Sequence, residues 1–106
     1  MVLTRDFKET VLQRAQSDAV YREALLAEAV GALLQGDLET GKAALRVFIK
    51  ATVSYDELSE ETGLSSKSLI RMFGPTGNPR SESLVAVLRA LQSLTGVRLS
   101  LQSHID

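Results

Sequence analysis

The sequence predicts an all-α fold, and three observations support this prediction. Apolar residues recur along most of the chain at the three- and four-residue spacing of an amphipathic helix. Capping residues stand at the boundaries of these runs. The 106 residues, 44% of them hydrophobic, suit one domain with its own core. The predicted division is 1–52 for N-terminal helices, 53–95 for a two-helix unit and the helix after it, and 96–106 for a short strand and tail.

The first three helices are predicted from their capping residues. Thr4 is a suitable N-cap for the first helix, and either Ser17 or Asp18 can cap the second. Gly36 ends the second helix, and Asp37 caps the third almost at once. Because this connection is so short, we expect the second and third helices to form an antiparallel hairpin.

The later helices have equally clear boundaries. Ser54 is followed three residues later by Glu57, which is the pattern of a capping box opening a short helix. The segment GPTGNPRS, residues 74–81, contains both prolines of the chain and predicts a loop. Ser81 is then the expected N-cap of a long amphipathic helix that ends at Gly96.

A helix-turn-helix is predicted around ETGLSSKSLIRMFG, residues 61–74. A short helix over Tyr55–Thr62 must end and turn sharply, and Gly63 adopts the left-handed conformation at least cost. Ser65 or Ser66 can cap a second short helix that runs to about Phe73. An apolar cluster is expected to fix the angle between the two helices, from Leu58, Leu64, Leu69 and Met72 or Phe73. The alternative is an ordinary helical corner.

The second of these helices has side chains suited to DNA. Ser, Lys and Arg side chains donate to phosphates and to base edges in the major groove. No acidic residue lies between Ser65 and Arg80 in the sequence. Tyr55 could either bind a phosphate or pack as a buried ring. The candidate DNA-binding residues are Ser54, Tyr55, Ser65, Ser66, Lys67, Ser68, Arg71, Asn78 and Arg80.

The charge distribution is consistent with this prediction. The net charge is −1 overall, with −4 in residues 1–64 and +3 in residues 65–106. A basic half beside an acidic half favours local binding of phosphate over general attraction to polyanions.

Other functional classes are disfavoured by composition. The chain has no Cys, and its one histidine, His104, lies in a polar tail, so neither a metal site nor a cofactor is expected. Glu60 and Glu61 are adjacent on a helix and point in different directions, which argues against acid–base catalysis. The absence of a long apolar run and the early charges of MVLTRDFKETV indicate a cytoplasmic protein without a membrane segment. We expect a binding protein and not an enzyme.

The run SYDELSEETGLSSKSLIRMFGPTGNPRSESLVAVLRAL, residues 54–91, resembles the Xre/Cro-type helix-turn-helix. With the opening LTRDFKETV and the acidic helical hairpin, nearly the whole chain resembles the HigA-like addiction-module antidotes. Phe73 departs from the pattern, since Glu is frequent there, and Ile70 is an apolar residue at a position that often touches DNA. We predict an Xre/Cro-like domain of five helices with an N-terminal helical hairpin and one short C-terminal strand. The resemblance implies a homodimer that binds operator DNA to repress its own operon and binds a small toxin protein, usually an RNase.

The predicted strand and the predicted toxin each have more than one possible binding partner or site. VRLSLQ, residues 97–102, alternates apolar and polar residues as a strand does, and a lone strand needs a partner. That partner is Met1–Thr4, a second copy of the chain or a strand of the toxin. We expect a basic toxin to bind mainly to the acidic half. The alternatives to an antitoxin are a stand-alone Xre-type repressor and a helical adaptor that binds protein.

Overall fold

The computed structural model of the chain describes residues 5–106, with side chains described from residue 9 onward. These residues form six α-helices, which confirms the all-α class. The predicted count of five is one short, because each of the six segments marked by capping residues folds as a separate helix. The helices are α1 Arg5–Ser17, α2 Ala19–Leu34, α3 Leu38–Thr52, α4 Tyr55–Thr62, α5 Ser66–Met72 and α6 Ser81–Thr95.

The predicted boundaries of the N-terminal helices are largely confirmed. Asp18 is the N-cap of α2, and its carboxylate accepts hydrogen bonds from the next helical amides. Gly36 has a φ of +82°, and Asp37 caps α3 by accepting from the Thr40 amide at 3.1 Å. The predicted cap Thr4 lies outside the described residues.

Both halves of the chain contribute to one apolar core. α3 packs against α1 and α2, while α4 contacts both α5 and α6. Gly41 allows the close approach of α2 and α3, because a Cβ there would lie 2.6 Å from Cδ2 of Leu33. The core therefore joins the N-terminal helices to the helices around α5. Its buried members are Leu26, Ala29, Leu45, Phe48, Ile49, Leu58, Leu69, Phe73, Val87, Ala90 and Leu91.

The C-terminal part departs from the prediction in two ways. Ser81 is the first residue of α6 and not its cap; the N-cap is Arg80, whose side chain makes no capping hydrogen bond. No strand occurs within residues 5–106, so the strand predicted over residues 97–102 is absent. The proposed partner Met1–Thr4 lies outside the described residues. Gly96 ends α6 with a φ of +75°, as predicted.

The tail after Gly96 is held at its beginning by side chains. Val97 and Leu99 pack against the core, and the Leu99 amide donates to Oε1 of Gln92 at 2.9 Å. Leu101 and Ile105 are exposed. The Gln92 side chain thus satisfies one backbone amide of this segment, Leu99, without a strand partner. Within residues 5–106, no helix has the length and apolarity needed to cross a membrane.

Candidate nucleic-acid interface

The first helix of the candidate site, α4, begins and ends as the sequence predicts. Oγ of Ser54 accepts a hydrogen bond from the Glu57 amide at 3.1 Å and caps the helix. At the other end Gly63 has a φ of +78°, and its amide donates to the Ser59 carbonyl at 2.8 Å. The left-handed glycine stops α4 and redirects the chain toward α5.

The second helix, α5, is short and has one buried side. Ser65 is its N-cap, since Oγ accepts from the Ser68 amide at 3.1 Å. Leu69 and Phe73 are four residues apart and fully buried, and Leu64 and Met72 pack beside them. The predicted apolar cluster is thus confirmed, although Phe73 is the C-cap and the helix itself ends at Met72.

The exposed side of α5 carries the two predicted cations. Lys67 and Arg71 are four residues apart, so they lie on the same side of the helix, and both are exposed. Ile70 lies next to Arg71 with 54% of its surface exposed. An apolar residue at this degree of exposure on a cationic helix face has no role in the core.

The first turns of α4 and α5 are joined by a serine. Oγ of Ser66 donates to Oδ1 of Asp56 at 2.7 Å and to the Tyr55 carbonyl at 3.4 Å. Ser66 therefore uses its single hydroxyl hydrogen within the chain. The stretch from Ser65 to Arg80 contains no acidic residue, but the fold brings the Asp56 carboxylate to the beginning of α5.

The other candidate residues divide into exposed and engaged side chains. Asn78 and Arg80 are exposed in the segment between α5 and α6. Ser68 is exposed, and its hydroxyl accepts a hydrogen bond from Oγ of Ser65 at 2.9 Å. Ser54 is exposed at the start of α4. Ser54, Ser65 and Ser68 thus have structural hydrogen bonds whether or not they also touch a partner.

Tyr55 is a packed ring and not a freely exposed one. It is partly buried against the core at the first position of α4. Burial raises the pKa of the Tyr55 hydroxyl above its ordinary value, and the nearby charge of Arg46 lowers it in part. The ring therefore packs the beginning of α4 against the core, and the charge of Arg46 in α3 lies near its hydroxyl.

Two residues that the sequence analysis did not select hold the segment after α5. Lys42 of α3 is 2% exposed, and its Nζ donates to the carbonyls of Gly74 at 3.2 Å and Gly77 at 2.8 Å. Arg46 donates from Nη1 to the Phe73 carbonyl at 2.8 Å. We name this set of contacts the α3 clamp. Its signal in the sequence is a lysine inside the apolar stripe of α3, three residues before the buried Leu45.

The clamped segment folds back tightly on α5. The Gly74 amide donates to the Arg71 carbonyl, and the Gly77 amide donates to the Gly74 carbonyl, each at 3.1 Å. A Cβ on Gly77 would lie 2.1 Å from the Arg71 carbonyl oxygen and 2.6 Å from that of Met72. A residue without a side chain is needed at this position because the backbone passes so close to the end of α5.

Comparison of the chain with protein-family models, with curated proteins and with solved structures finds no match. The resemblance to Xre/Cro-type and HigA-like proteins therefore remains a prediction. The geometry of α3, α4 and α5 is the basis on which a function can be argued.

Proposed function

We propose that the chain binds double-stranded DNA, with α4 and α5 acting as a helix-turn-helix and α5 entering the major groove. The observation that carries this proposal is the two-sided character of α5. Leu69 and Phe73 fix one side in the core, while Lys67 and Arg71 extend from the other. A two-turn helix held in this way presents its cations to a groove without exposing the core.

The exposed residues of α5 provide two kinds of contact to DNA, hydrogen bonds and apolar contacts. Lys and Arg donate to the O6 and N7 acceptors of guanine, or to phosphate, and apolar side chains contact the methyl group of thymine. Lys67 and Arg71 supply the donors, and Ile70 supplies an apolar contact that is otherwise unused. Arg80 and Asn78, after α5, are placed in the proposal as phosphate contacts.

Asp56 limits where phosphate can approach. Its carboxylate lies 2.7 Å from Oγ of Ser66, so the beginning of α5 carries a negative charge. Phosphate contacts are therefore expected toward the end of α5 and the following segment. In this proposal Ser66 positions α5 on α4 and does not itself bind DNA.

A second copy of the chain is part of the proposal. One seven-residue helix reaches few base pairs, whereas two copies about one helical turn apart on the duplex read a symmetric operator. The tail offers a surface for this contact, because Leu101 and Ile105 are exposed apolar residues with no place in the core. The predicted strand would then form only between two chains.

Antitoxin activity is the further part of the proposal, and it rests on the resemblance together with one face of α2. Val20 and Leu34 are 75% and 66% exposed near the two ends of this helix. Glu23 and Glu28 are exposed between them. An apolar face with carboxylates suits a basic toxin. This face belongs to α2, a different helix from the one that carries Lys67 and Arg71.

DNA selection tests the proposal at its first step. The protein is incubated with a random duplex pool, bound duplexes are recovered and sequenced, and the affinity for the selected duplex is measured from 50 to 200 mM salt. We expect a defined symmetric sequence and an affinity that falls steeply with salt, because bound cations displace counterions. No enrichment and no affinity even at low salt would favour the adaptor. Co-expression with the product of the neighbouring gene tests the antitoxin part. A stable complex would support an antitoxin, and no complex would favour a stand-alone repressor.

A further inference from the structure

The end of α5 is built differently from the ends of three other helices. Gly36, Gly63 and Gly96 follow α2, α4 and α6 with positive φ, which is a common way to satisfy the last carbonyls of a helix. Gly74 follows α5 but is not among the described glycines with positive φ. At this end the carbonyls of residues 73, 74 and 77 receive hydrogen bonds from Lys42 and Arg46.

A buried lysine at this place needs explanation. Lysine is rarely buried unless it is paired, because removing its charge from water is costly. Nζ of Lys42 has three oxygen partners: the two carbonyls and Oε1 of Glu39 at 3.1 Å, whose side chain is 73% exposed. An ammonium group has three donors, so this set satisfies it fully. The chain thus places a complete charged site between α3 and the segment after α5.

This site lies at the end of α5, which is held at its beginning and along one side by other contacts. Leu69 and Phe73 hold the seven-residue helix from its buried side, and Ser66 holds its beginning on α4. The end is fixed from α3, through the carbonyl of Phe73 and the turn beginning at Gly74. Arg71 lies in the last turn, directly before these carbonyls.

We propose that Lys42 and Arg46 are positioning residues, which set the orientation of α5 and thereby its discrimination between DNA sequences. The inference rests on the proposed DNA-binding function. Neither residue needs to touch DNA for this role. Base contacts depend on the angle of the helix in the groove, whereas a flexible lysine or arginine can follow a phosphate through a small tilt. Loss of the clamp should therefore reduce specific binding more than non-specific binding.

The test compares Lys42→Met and Arg46→Met with Lys50→Met, a matched control. Lys50 is exposed on the same helix, so the control removes the same charge without the clamp contacts. Affinities are measured for the duplex selected by the wild-type protein and for an unrelated duplex of equal length. For each clamp variant we expect the ratio of the two affinities to fall about 5- to 140-fold, which corresponds to losing one base contact. Lys50→Met should leave the ratio unchanged.

Two further measurements separate positioning from a general loss of stability. Hydrogen exchange of the Gly74 and Gly77 amides in the free protein should become faster in Lys42→Met, which loses the contacts to both glycines, and stay unchanged in Lys50→Met. Arg46→Lys should restore much of the ratio, because the Phe73 carbonyl needs only one donor. If Lys42→Met does not fold, Arg46→Met decides, since Arg46 is only partly buried and its loss leaves the lysine site intact.

Failure of the inference is distinguishable from failure of the proposed function. A wild-type protein that binds no duplex refutes DNA binding, and with it any role of the clamp in specificity. A wild-type protein that selects a duplex, together with folded clamp variants whose affinity ratio matches that of Lys50→Met, overturns the positioning role alone. If the Gly74 and Gly77 amides exchange as slowly in folded Lys42→Met as in the wild type, Lys42 does not hold this segment and the inference is refuted.

Discussion

Replacement of Lys67 and Arg71 together by Ala is the most direct perturbation of the proposed interface. Both side chains are exposed on the side of α5 opposite Leu69 and Phe73, so the core contacts remain. Surface substitutions of this kind change the free energy of unfolding by about 0.5 kcal/mol or less. The variant should therefore unfold at nearly the wild-type temperature while its DNA binding changes strongly.

The size of the effect depends on what the two residues contact. If both bind phosphate, each contributes about 0.9 to the slope of log affinity against log salt, so one chain loses about 1.8. Over the fourfold rise from 50 to 200 mM salt, the wild-type affinity should then fall more than that of the variant by about tenfold for each bound chain, which is about 150-fold for the proposed dimer. If they bind base edges, each loss costs about 1–3 kcal/mol and sequence preference weakens.

Fluorescence anisotropy with labelled duplex, across a salt series, measures both quantities. The matched control is Lys50→Ala with Arg98→Ala, which removes two positive charges from exposed positions outside α5. A double variant at Lys67 and Arg71 whose affinity and salt slope equal those of this control would refute α5 as the DNA-reading helix. The effect would then be one of net charge.

Three other outcomes are expected. Gly77→Ala should lower the melting temperature, measured by circular dichroism, because the added Cβ would meet the Arg71 carbonyl; an unchanged melting temperature would contradict the tight return of the loop. Leu69→Ala should cost about 2–5 kcal/mol in denaturant unfolding because this side chain is fully buried, and a cost below about 1 kcal/mol would argue against its place in the core. Deleting residues 97–106 should convert a dimer into a monomer by light scattering at micromolar concentration, and a dimer that survives the deletion would place the interface elsewhere.

The capping residues made most of the fold predictable from the sequence. Asp18, Asp37, Ser54 and Ser65 are all N-caps in the structure, because their short polar side chains meet nearby amides in any helix they begin. The prediction of Ser81 as an N-cap was wrong by one position. Ser81 is already helical, and Arg80 occupies the cap position without a capping hydrogen bond from its side chain. Local chemistry of this kind is visible in a single sequence.

The strand and the α3 clamp were not predictable in the same way. Alternation in residues 97–102 indicates a half-buried extended segment, and Val97 and Leu99 do pack on the core. A ladder also needs a partner, which the alternation does not specify. The clamp joins Lys42 to Gly77 across 35 positions, and no spacing rule for one helix connects such distant residues. Asp56 and Ser66 meet for the same reason, through the turn between two helices.

The candidate site is therefore a product of three helices and not of the helix-turn-helix segment alone. α3 gives Leu45, Phe48 and Ile49 to the core, and from the same helix Lys42 and Arg46 reach the carbonyls after α5. α3 thus holds the end of α5 in place, although it contributes none of the exposed cations of α5. An isolated fragment of residues 53–106 would lack every donor of the clamp. Under the proposed function, sequence-specific binding of DNA should therefore require α3 as well as α4 and α5.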